Sequence, residues 1–166
     1  MMRHLAFAGA LAALSGSALA DSQGFAPGSL PTEAQLGHLL MNLCQASTPD
    51  GMQRRFDDIV PYVGVFEEAE DGVWSTVDGQ VTISVSGNVL KATCAMDIAP
   101  GFVTDDAAVV EGLASHVADW TGETTYTRDA ETEESHTWTW SDGRADFMLT
   151  YGPADGGHRI ALVGTM

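Results

Sequence analysis

Three short β-type runs separated by turn residues fill the stretch from Trp74 to Met96, and a stretch of this kind closes only into antiparallel sheet. Asp78-Gly79 divides a run ending at Val77 from Gln80–Val85, and Ser86-Gly87-Asn88 divides that run from Val89–Met96. Asp-Gly between β-type runs favours a two-residue turn, because both central residues take positive φ. The turn pairs Val77 with Gln80, Thr76 with Val81 and Trp74 with Ile83. Side chains alternate along a strand. Trp74, Val81, Ile83 and Val85 therefore share one face, and Ser75, Thr82 and Ser84 the other.

The pattern returns near the C-terminus. A two-residue turn at Asp142-Gly143 pairs Trp140 with Ala145, Trp138 with Phe147 and His136 with Leu149. One face then carries His136, Trp138, Trp140, Phe147, Leu149 and Tyr151, the other Thr137, Thr139, Asp146, Met148 and Thr150. A shift of 64 residues (74 to 138, 79 to 143) lays Trp on Trp, Asp-Gly on Asp-Gly, Ile83 on Phe147 and Val85 on Leu149. This offset points to an internal repeat.

A helical pattern precedes each hairpin. Thr32 opens the first, with Gln35 three residues on as a capping-box partner and Leu36, Leu39, Leu40, Leu43 and Cys44 on one stripe. His38, Asn42 and Gln45 fall on the polar side. A second, short helix carries Met52, Phe56, Ile59 and Val60 and stops at Pro61. Tyr62–Glu68 reads as a first strand. Thr104 caps a later helix with Asp105 and Asp106 at its positive end, a stripe of Val109, Val110, Leu113, Ala114, Val117 and Trp120, and Gly122 at its stop. Strands at Thr124–Arg128 and His158–Val163 complete the second half. The expected fold is α+β: two tandem helix-plus-antiparallel-meander units, residues 32–98 and 102–166, with the helices packed on one face of the sheet. The order of elements resembles that of secreted β-lactamase inhibitor proteins, in architecture and not in any diagnostic residue.

Residues 1–20 read as an export signal: Arg3, an apolar run from Leu5 to Leu14, and Ala18-Leu19-Ala20 as a small-x-small cleavage site. That run is too short to span a bilayer, which takes about 20 apolar residues. Residues 21–31 form a Gly/Pro/Ser-rich leader. The expected location is the periplasm or the extracellular space. There Cys44 and Cys94, the chain's 2 cysteines, form a disulfide by default.

With 7 Lys and Arg against 23 Asp and Glu, loss of Arg3 with the signal leaves 6 − 23 = −17. Phosphate neutralisation needs cations, so nucleic acid is excluded as a partner, and an anionic membrane surface fits no better. Such acidity serves solubility first, and second the attraction of a basic protein or of loosely held divalent cations. No nucleophile elbow, phosphate loop, metal helix or C-x-x-C spacing occurs. The acidic turn at residues 67–72 lacks the alternating carboxylates of a calcium loop.

Two surfaces remain as candidates. Ser75, Thr82, Ser84, Thr93, Thr137, Thr139, Met148 and Thr150 form a sheet face poor in charge, suited to a protein partner whose interface centre depletes charge. His136 and His158 sit on strands that can be neighbours, the place for a cryptic enzymatic or metal site. The leading expectation is an exported, non-catalytic binding or inhibitor-like module acting through the hydroxyl face, with no cofactor. The alternatives are an enzyme or metal-binding protein at His136/His158, and a structural or stress-related envelope component.

Overall fold

The computed structural model describes residues 28–44, 64–120, 124–128 and 134–166. The expected signal, the leader up to residue 27, and the short helix from Met52 to Val60 lie outside them. Within them the order is α1 (Glu33–Leu43), β1 (Phe66–Glu70), β2 (Val73–Thr76), β3 (Val81–Asn88), β4 (Lys91–Ile98), α2 (Asp106–Trp120), β5 (Thr125–Arg128), β6 (His136–Ser141), β7 (Asp146–Ala154) and β8 (Gly157–Thr165).

All eight strands belong to one antiparallel sheet, ordered β1-β2-β3-β4-β8-β7-β6-β5. This corrects the expected pair of helix-plus-meander units. The fold is mostly a single wide sheet, and its two described helices are short and pair with each other. The reason lies at β4 and β8. Each ends its run of strands with a row of unpaired backbone groups, and such edges invite pairing. Zipping them together over eight residue pairs, from Lys91↔Thr165 to Ile98↔His158, removes both edges at once. The two edges that remain are β1, guarded by Glu67, Glu68 and Glu70, and β5, which is only 4 residues long.

The sheet has two unlike faces. Trp74, Ile83, Met96, Ile160 and Tyr151 stand on one side in register, and Val85, Cys94, Leu162, Leu149 and Trp138 form the next row. Together with Leu36, Leu40, Val109, Leu113 and Val117 of the helices they make a single core. Trp74, Trp138 and Trp140 are buried, as the alternation requires.

Glycine lets the helices approach. A Cβ at Gly37 would strike the Leu113 side chain, and one at Gly112 would strike the carbonyl of Ala34. The caps divide differently from the expectation. Gln35 Oε1 accepts from Thr32 N–H at 2.9 Å, the back-bonding half of the predicted capping box. Thr104, however, does not cap α2. Asp105 does, its Oδ1 accepting from Ala108 N–H at 3.2 Å. Thr104 instead donates through both N–H and Oγ1–H to Glu33 of α1. Glu33 also accepts from Asp105 N–H at 3.2 Å, so a carboxylate on one helix satisfies the entry to the other. These bonds hold the Glu33 carboxyl below its usual range. The Cys44–Cys94 disulfide ties the end of α1 to β4 across a Cα–Cα distance of 5.8 Å.

Two hairpins differ from the expectation. Trp74 faces Ile83 as predicted, but Trp138 faces Leu149, His136 faces Tyr151 and Trp140 faces Phe147. Asp142 is responsible. Its Oδ1 accepts from Arg144 N–H at 2.8 Å and Ala145 N–H at 2.9 Å, opening the turn to the four residues 142–145. The 64-residue offset thus holds along β6 and fails on β7, where Leu149 and not Phe147 takes the place of Ile83. In the β3–β4 hairpin, Gly87 and Asn88 belong to the strand and Val89-Leu90 makes the turn, with the Leu90 and Lys91 amides donating to Asn88 Oδ1.

Candidate functional site

The hydroxyl face is the side of the sheet opposite the core. One row crosses seven strands: Val73, Ser84, Ala95, Ala161, Thr150, Thr137 and Thr127, each paired with the next. The next row runs Ser86, Thr93, Val163, Met148, Thr139 and Thr125. Ser75 and Thr82 begin a third, their hydroxyls 3.1 Å apart. All eight residues predicted for a binding face therefore stand on one surface. Most are half-buried by their neighbours in the sheet, while Thr139 and Met148 are exposed. From β2 to β5 neither of the first two rows carries a charge; Glu70 of β1, paired with Val73, closes the first. At the border Arg159 Nε donates to Asp97 Oδ1 at 2.6 Å, which neutralises that pair.

The other candidate lies on the core side, at the end of the sheet where α2 begins. A cleft of about 840 Å³ opens between α2 and strands β5 to β8. Ala107, Val110 and Ala114 of α2 and Pro153 of β7 supply its apolar lining, and Asp106, Glu111 and Glu134 its carboxylates. Tyr126, His136 and His158 supply rings, and no Lys or Arg appears among the described lining residues.

Strand register explains why the rings gather. Tyr126 is opposite Trp138 and diagonal to His136, and His136 is opposite Tyr151. Cross-strand pairs at these distances stack. The ring centroids of Tyr126–Trp138, His136–Tyr151 and Tyr151–His158 are 5.3, 6.1 and 5.6 Å apart. Tyr126 Oη and His136 Nδ1 share a hydrogen bond of 2.7 Å. The Tyr151 hydroxyl donates to Asp106 Oδ1, and His158 Nε2 lies 3.2 Å from the same oxygen. Burial, this bond and the Asp106 charge push the Tyr151 phenol far above its ordinary range, so it acts as a fixed donor. With Nε2 donating to Asp106, Nδ1 of His158 is left as an acceptor. It is buried and lacks a hydrogen-bond partner.

The sequence places His136 and His158 near one another, and the structure brings both to this cleft together with Asp106. The rings are not bonded to each other; Tyr151 stands between them. The sequence gives no sign of Asp106 or Tyr126 in the site, because α2 reaches it only through tertiary packing. Among the described residues no group of three His, Cys, Asp or Glu side chains is placed to hold a metal ion. His38, expected on a solvated helix face, instead meets His116 across the helix pair, with the two Nδ1 atoms 3.0 Å apart. Among the described residues no helix is long and apolar enough to cross a membrane. No protein-family model, curated protein or solved structure matches the chain, so the likeness to the inhibitor proteins rests on element order alone.

Proposed function

We propose that the chain is an exported, non-catalytic binding protein that engages another protein through its hydroxyl face. The observation that carries this reading is the uncharged row from Val73 to Thr127, continuous over seven strands. A solvent-facing sheet of a protein with 23 acidic residues has ample opportunity to place charge in the first two rows of that face, yet its charges stand at their borders, on Glu70, Asp97, Arg159, Lys91 and Asp146. Interface centres are depleted in charge for a physical reason: an unpaired ion loses its hydration when covered. Hydroxyls lose less and find partners readily. The Cys44–Cys94 bridge and the signal-like residues 1–20 support a periplasmic or extracellular location.

Photo-crosslinking in cells of origin tests the reading. A crosslinker at Thr150, mid-row, should capture a discrete protein adduct. One at Val77, exposed in the β2–β3 turn, should not. No adduct at Thr150, or the same adducts at both positions, overturns it.

A further inference from the structure

His38 and His116 serve neither the hydroxyl face nor the cleft at the end of the sheet. They stand 78 residues apart in sequence, on α1 and α2, and meet where the two helices pack together. The glycines that let the helices approach lie beside them: Gly37 precedes His38, and Gly112 is one turn before His116. Buried Leu39 follows His38 and buried Val117 follows His116, so both rings hang from backbone that the core holds in place. Both ends of α1 are fixed as well, by Glu33 at the entry to α2 and by the Cys44–Cys94 bridge. The two rings are half-buried, so part of each remains within reach of solvent.

The two Nδ1 atoms are 3.0 Å apart, the ring centroids are 4.7 Å apart and the ring planes cross at 89°. A head-on hydrogen bond of that length would hold the centroids about 5.3 Å apart, because each ring extends away from its nitrogen. The rings are therefore inclined to the line that joins the nitrogens. Two imidazoles bound to one ion at about 2.0–2.1 Å place their nitrogens about 2.9 Å apart at a right angle and about 3.3 Å apart at the tetrahedral angle. The observed 3.0 Å belongs near the right angle, where the two centroids stand about 4.7 Å apart, as they do here.

We propose that His38 and His116 bind one divalent transition-metal ion between the helices through their Nδ1 atoms, with Cu(II) held most tightly. Neutral imidazole is a ligand for copper, nickel and zinc, and a near-right angle between nitrogen donors suits tetragonal Cu(II) or Ni(II) better than tetrahedral Zn(II). Cu(II) also leads the general order of divalent affinities. Both rings then carry their protons on Nε2. Among the described residues no third His, Cys, Asp or Glu joins the pair, and two protein ligands leave the ion's other positions to water or to a small ligand from solution. The excess of 23 acidic over 7 basic residues draws cations toward the chain. The hydroxyl face takes no part in this site, so the two readings stand or fall separately.

The test is calorimetric titration of the untagged mature chain with Cu(II), Ni(II), Zn(II) and, as a control for diffuse attraction to carboxylates, Mg(II). One-to-one binding of Cu(II) is expected, at least tenfold tighter than that of Zn(II), with no saturable binding of Mg(II). His38→Gln and His116→Gln should each weaken Cu(II) binding by at least tenfold, with circular dichroism unchanged. The double variant should lose little more than either single one, because both rings serve one ion. Electron paramagnetic resonance of the unaltered chain loaded with Cu(II) should show splitting from two nitrogen ligands. The proposal is overturned if Cu(II) binding does not saturate, if Zn(II) or Mg(II) binds as tightly, if both folded variants keep full affinity, or if fewer than two nitrogens ligate the ion. The resonance measurement needs only the unaltered chain, so it decides even where a variant fails to fold.

Discussion

Tyr151 shows how one side chain can join core and site. Its ring stacks on His136 and His158, its hydroxyl donates to Asp106, and it is 2 % exposed. Ionising it would bury a phenolate beside a carboxylate, so its folded pKa is raised. The sign follows. A raised pKa contributes stability that is fully present below the ordinary value near 10 and is lost as pH climbs beyond it. In an alkaline absorbance titration the native chain should show fewer ionised phenols at about pH 11 than the urea-unfolded chain. Tyr151→Phe should shrink that difference. If it is undiminished in the variant, the Tyr151–Asp106 bond does not have this role. Glu33 works in the opposite direction: with a lowered folded pKa it adds stability above about pH 4.5 that disappears as pH falls through its folded value.

At the scale of elements, local pattern was a good guide to faces and a poor one to partners. Trp138 was expected opposite Phe147 and lies opposite Leu149, yet it remains in the core. A slip of two residues preserves the side of the sheet on which every residue stands, whereas a slip of one reverses it. This is why all eight hydroxyl-face residues were legible although the turn was not. The turn was missed because Asp142 uses its carboxylate on two amides, a choice that Asp-Gly alone does not disclose. Thr104 was misread for a similar reason: its partner, Glu33, is 71 residues away. The Cys44–Cys94 bridge was legible from the expected compartment and the cysteine count, and it should matter. It joins residues 50 apart, and on the chain-entropy model its loss costs about 3–4 kcal/mol. The double change Cys44→Ser/Cys94→Ser should lower the urea midpoint accordingly. An unchanged midpoint would show that the bridge contributes nothing.

The described strands form one sheet whose two sides differ in chemistry. Joining β4 to β8 made it so, and no short-range signal in the sequence names those two strands as neighbours. Pattern predicted separate units because each hairpin and each helix obeys its own local rules. The edges pair through backbone groups that every residue carries. The cleft was hidden for the same reason. His136 and His158 marked its position, but Asp106, Glu111 and Tyr126 arrive there only when α2 and β5 fold onto the end of the sheet. One side therefore holds Trp74, Trp138 and Trp140, the described helices and a cleft rich in carboxylates. The other presents hydroxyls and small apolar groups in uncharged rows.

The most direct test places a charge in the middle of that second side. Ala161 stands beside Thr150 and Ala95 in the central row and points away from the core. Ala161→Glu should leave the thermal midpoint within a few degrees of the parent, since a half-exposed surface change costs about 0.5 kcal/mol or less. On the proposed function, it should at the same time abolish recovery of whatever partner protein the unaltered chain captures from cells of origin. A variant that folds normally and still retains its partner would contradict the account.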